Sequence, residues 1–206
     1  MSQISGEGPL QQARDAWADR DLWRAKALIE RAAESGPLGS DLARTRLLAG
    51  VIYREIGDSA EAVRHLSDLM DGWHEYPDDR ALLEGSAWYN LALVHLQYRR
   101  FPEAADAYRQ AIVEFRREGM RVYLRMALQN LAWVLCELGR ADEAVATLEM
   151  VRAGRLIDIG DTDAEHRQRV VAAYCAYLER DYRGAIELAE DVTRPDETKP
   201  DVRSNA

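Results

Sequence analysis

Two cysteines are all that this chain of 206 residues contains. Cys136 and Cys175 match none of the usual metal or redox spacings and are too few for a disulfide scaffold, so the sequence predicts reduced thiols in a cytoplasmic protein. Long apolar runs are also missing. No stretch of roughly 18 uncharged apolar residues could span a bilayer, and the opening MSQISGEGPL has neither the basic flank nor the apolar run of a secretory signal. Positive charge is in deficit, with a formal net charge of −9. That field repels phosphate backbones, disfavours nucleic-acid binding and mildly favours a cationic partner.

Chemistry is equally scarce. There is no phosphate-binding glycine loop, nucleophile elbow or metalloprotease signature. His65, His74, His95 and His166 include no pair one helical turn apart, so no metal site is expected. The acidic stretch Asp158, Asp161, Asp163, Glu165 lacks the central glycine and distal glutamate of a calcium loop and reads as a solvated, helix-capping segment. The expectation is a protein that is not an enzyme, with no catalytic residues and no cofactor.

What is present is a repeat. Trp88, Leu91, Ala92, His95, Phe101, Ala104, Tyr108 and Ala111 recur forty residues later as Leu128, Leu131, Ala132, Leu135, Ala141, Ala144, Leu148 and Val151. An earlier copy holds Ala49, Gly50, Tyr53, Gly57, Ala62, Leu66 and Leu69, and a later one Ala172, Ala173, Ala176, Tyr182, Ala185, Ala189 and Val192. A weaker first copy runs through Ala13, Ala16, Leu22, Ala25, Ile29 and Ala32. The small markers Ala25, Ala62, Ala104, Ala144 and Ala185 are spaced by 37, 42, 40 and 41 residues.

Within each copy, apolar residues recur three and four apart on both sides of a short break, the period of two amphipathic helices. The breaks carry helix punctuation. Gly57 and Gly139 suit left-handed C-terminal caps, Asp58 with Glu61 and Thr162 with Glu165 suit capping boxes, and Pro102 suits a first turn. Small residues let the two helices approach, so Ala92 is expected to face Ala104 while Trp88 and Tyr108 fill the surrounding space.

These residues, Trp88-x-x-Leu91-Ala92, Phe101-x-x-Ala104, Tyr108 and Ala111 with the turn glycines, resemble the tetratricopeptide repeat. At about forty residues the unit is longer than the usual 34 and is similar to the long-helix variants of kinesin light chains and bacterial peptide-sensing regulators. The resemblance implies an all-α fold, an α-solenoid of about five helix-turn-helix repeats wound as a right-handed superhelix. The repeats lie near 9–37, 40–76, 79–118, 120–156 and 162–192, between flexible tails at 1–8 and 193–206. His95 stands where the repeat usually packs a tyrosine.

In such proteins the first helix of each pair lines a concave groove. That implies a face collecting Trp17; Arg44, Leu47, Leu48, Val51 and Arg54; Ser86, Tyr89, Asn90, Leu93 and Gln97; Met126, Gln129, Asn130, Trp133 and Glu137; and Arg167, Val171, Tyr174 and Tyr177. Asn90 and Asn130 share one register position, where an amide offers a donor and an acceptor to a peptide main chain or bonds a neighbouring helix. Tyr89, Trp133, Tyr174 and Tyr177 would line a pocket for apolar side chains, or pack between repeats. Lys26 and Lys199, the only lysines, lie off this face, so a lysine clamp for C-terminal carboxylates is absent. The resemblance thus implies a protein or peptide partner bound in an aromatic, amide-edged groove, with no nucleic acid and no membrane. Alternatives are a peptide-sensing regulator, or a structural subunit forming a homodimer through its C-terminal repeat, where Ile186 and Leu188 lie.

Overall fold

The computed structural model describes residues 8–75, 80–156 and 162–193. The two tails and residues 158–161 of the acidic stretch therefore fall outside the described residues, save Gly8 and Thr193. Among those described, there is helix and turn but no strand. The order is α1 Pro9–Ala18, α2 Leu22–Glu34, α3 Gly39–Ile56, α4 Ser59–Asp71, a 3-10 turn at Trp73–Glu75, α5 Arg80–Gln97, α6 Phe101–Arg117, α7 Arg121–Glu137, α8 Ala141–Ala153, α9 Thr162–Leu178 and α10 Tyr182–Thr193.

The chain divides into two compact units, Met1–Ala127 and Leu128–Ala206, with the division inside α7. In the first, α1 packs on α2, α3 on α4 and α5 on α6, and α3 also touches α2 and α5. In the second, α9 packs on α10 and α8.

Every first-to-second helix turn uses one device. A residue just past each first helix is left-handed: Arg20 (φ 63°), Gly57 (94°), Arg99 (54°), Gly139 (70°) and Arg180 (66°), at the spacing read from the sequence. Glycine takes that conformation without steric cost, whereas the arginines carry a Cβ into it. The next residue stands immediately before the second helix. Asp21, Asp58 and Asp181 accept from the backbone N–H of Arg24, Glu61 and Gly184 at 3.2, 3.2 and 3.0 Å, satisfying an otherwise orphaned donor. At the matching places Arg100 and Arg140 supply no cap. Arg140 instead forks onto Glu143 in the first turn, at 2.6 and 2.7 Å, and Pro102 opens α6.

The small residues of the repeat are buried. Ala62, Ala92, Ala104, Tyr108 and Ala144 are wholly buried. Gly50 and Gly85 are closer still: a Cβ on Gly50 would lie 2.7 Å from Leu66, and one on Gly85 would lie 2.7 Å from the Phe115 ring. His95 is partly buried.

The sequence reading of the cysteines is corrected here. Cys136 of α7 and Cys175 of α9, 39 positions apart in sequence, form a disulfide with Cα atoms 5.4 Å apart, inside the range a disulfide spans. A separation close to one repeat period brings the two residues onto neighbouring first helices, a juxtaposition that local spacing motifs do not encode.

Burial also shapes the response to acid. His65 stacks on Tyr53, ring centroids 5.3 Å apart, and its Nε2 lies 3.0 Å from the Arg64 guanidinium. Burial first, then Arg64, push its pKa down, against the opposing pull of Glu61 and Asp68; burial likewise lowers that of His95. The unfolded chain therefore binds protons that the folded chain refuses. Stability is full above the ordinary histidine range and falls as pH drops through it toward the lowered folded values. The melting temperature should fall between about pH 7.5 and 5.5, and His65→Gln should flatten that dependence in a thermal melt series.

Candidate functional site: a cleft on the first helices

The first unit contains a cleft of about 550 Å³. One stripe from each first helix lines it: Leu10, Arg14 and Trp17 of α1; Arg44, Leu47, Leu48 and Val51 of α3; Leu83, Ser86 and Asn90 of α5; and Met120 with Tyr123 at the start of α7. Spacings of three and four put each set on one helical face. The second helices contribute nothing to this lining, because their apolar faces are turned to the alanine seam.

The walls are mostly apolar. Tyr123 is 47% exposed and its ring lies 5.5 Å from that of Phe115, which is buried, so a core side chain props a surface one. Trp17 packs partly into the core, and its indole Nε1 is shielded from solvent with no hydrogen-bond partner. Asn90 donates from Nδ2 to the Ser86 carbonyl one turn back in its own helix, at 2.9 Å. Among the described lining residues the charged ones are Arg14 and Arg44, and Arg44 lies 4.0 Å from Asp41 on the same helix. Although the chain as a whole carries −9, the charge that these described residues bring to the cleft is positive.

Of the face expected from sequence, the structure brings together Trp17, Arg44, Leu47, Leu48, Val51, Ser86 and Asn90. Other members lie elsewhere. Tyr89 packs edge-on against Tyr108, with centroids 5.6 Å apart; Arg54 pairs with Glu55 at 3.3 Å; exposed Gln97 donates to the Arg54 carbonyl at 3.3 Å; and Leu93 is partly buried. In the second unit, Asn130 and Trp133 are partly buried. Tyr174 donates to Glu137 at 2.7 Å, and Tyr177 is 57% exposed.

Gln129 needs correction as a groove residue. It is 1% exposed, and its Nε2 donates to the Ala164 carbonyl of α9 at 3.1 Å, because its position on α7 turns it toward the neighbouring helix. Val171 is likewise buried, at 7%. Leu10, Arg14, Leu83, Met120 and Tyr123 were not anticipated. Stepping each stripe back one turn from Trp17 and Ser86, and from Met126 to Tyr123, would have reached most of them.

No group of His, Cys, Asp or Glu among the described residues could hold a metal ion, and no helix there is long and apolar enough to cross a membrane.

Helical hairpins stacked through small residues, with a cleft on the first helices, define the α-solenoid class. Tetratricopeptide-repeat family models match residues 41–112 and 126–153, and the chain belongs to the tetratricopeptide-repeat family. It is similar in fold to a crystal structure of Podosopora anserina putative kinesin light chain nearly identical TPR-like repeats, at 18% identity and TM-score 0.70, covering 89% of this chain and 91% of that one. A singly substituted form of that same protein matches with the same identity and TM-score over 91% and 95%. No curated protein matches the chain. Repeats of this family in general mediate protein–protein interaction and are typically scaffolds, not enzymes.

Proposed function

We propose that the protein is a non-enzymatic interaction module whose first-unit cleft binds a peptide or helix of a partner protein that is apolar on one face and bears carboxylates. The observation that carries this reading is the described lining: leucine, valine, methionine, tryptophan and tyrosine, with Ser86, Asn90 and two arginines. Apolar walls supply area to be desolvated. Arg14 and Arg44 supply charge-assisted donors for carboxylates and disfavour the cationic partner that net charge alone suggests, since local complementarity decides register and choice.

Selection of short peptides displayed on phage tests the reading with the full chain as bait. The selected peptides should pair an aromatic or branched residue with Asp or Glu. Arg14→Glu with Arg44→Glu should weaken their binding about tenfold or more, an effect that shrinks at high salt. Both arginines are exposed, so the fold should survive. Basic peptides, or acidic ones bound equally well by the reversed-charge variant, would overturn it.

A further inference from the structure

The second unit is built unevenly. Leu128, Leu131, Leu135, Val134, Leu148 and Val151 of α7 and α8 are buried, whereas the described side chains buried from α9 and α10 are Ala164, Gln168, Val171, Cys175 and Ala185. Among these described side chains one branched aliphatic chain stands beside small and polar ones, with Leu188 partly buried, a modest apolar contribution against the entropy of ordering two helices. The covalent tie between α7 and α9 adds to the docking of this hairpin. Cys136, although only 2% exposed, lines a cleft of about 380 Å³ with Arg140, Asp142, Glu143, Leu178 and Glu179.

We propose that Cys136–Cys175 is a thiol–disulfide exchange site, opened by a dithiol reductant entering this cleft, and that its reduction releases the α9–α10 hairpin from α7 and α8. One thiolate of the reductant attacks Cys136 Sγ, the Cys136–Cys175 bond breaks, and Cys175 leaves as a thiolate that takes up a proton. The second thiol of the reductant then attacks the mixed disulfide, freeing Cys136 as a thiol. The reductant ends as its own disulfide, and the protein has gained two electrons and two protons. Reduction removes the covalent tie and leaves α9 on non-covalent contacts, among them the described buried side chains and the hydrogen bonds Gln129–Ala164, Gln168–Leu148 and Tyr174–Glu137.

Amide hydrogen exchange on the full chain, with the redox state fixed by intact mass, decides this. Dithiothreitol under native conditions should reduce the bond and speed exchange in α9 and α10 by about tenfold or more, leaving α3 and α4 unchanged. Cys136→Ala with Cys175→Ala should show the fast pattern without reductant. Equal exchange in the two redox states would overturn the proposal. So would a bond that dithiothreitol reduces only under denaturing conditions, or a chain isolated as thiols that no mild oxidant closes.

Discussion

Replacing Phe115 by alanine should destabilise the first unit by about 3–5 kcal/mol, measured as a shift of the urea midpoint at constant slope. The ring is 1% exposed and lies 6.3 Å from Tyr89 and 5.5 Å from Tyr123 by centroid. It also fills the space against Gly85, where the missing Cβ lets α5 and α6 approach. Truncation loses the transfer energy of the ring and leaves a void that two rigid helices close poorly. Because Tyr123 leans on this ring and lines the cleft, peptide affinity should fall with stability. A Phe115→Leu variant, retaining most of the volume, should lose less of both.

The opposite error is made at Gly50. Valine there should cost about 1–3 kcal/mol, because the first added atom already sits 2.7 Å from Leu66 and Leu66 is itself wholly buried. Alanine should be milder, since relief from glycine's conformational entropy returns about 0.5–1 kcal/mol in a helix interior. Paired thermal melts of the two variants separate overpacking from helix propensity; equal melting temperatures would show that Leu66 moves aside freely.

The helices and their pairing were legible in the sequence because their determinants are local. Ala25, Ala62, Ala104, Ala144 and Ala185 mark the seam, and Gly57, Asp58, Pro102 and Gly139 mark the turns. The cleft was legible in part. Trp17, Arg44, Val51 and Asn90 follow from counting along one helix, but the turn upstream of each stripe was left out, and with it Arg14 and Tyr123. Gln129 was misplaced because one residue of helix rotates a side chain by about 100°, enough to carry it from an open surface to the contact with α9. The Cys136–Cys175 bond was invisible for a different reason. It depends on how far one first helix slides along the next, and neither residue's neighbours in sequence record that offset.

The indole of Trp17 forms part of the cleft wall, its nitrogen out of water and unpartnered, while Trp23 on α2 is 70% exposed. The protein thus carries an optical reporter: whatever lodges in the cleft alters the surroundings of Trp17, one of five tryptophans, directly, and a variant that keeps Trp17 as its sole indole would show occupancy without a label.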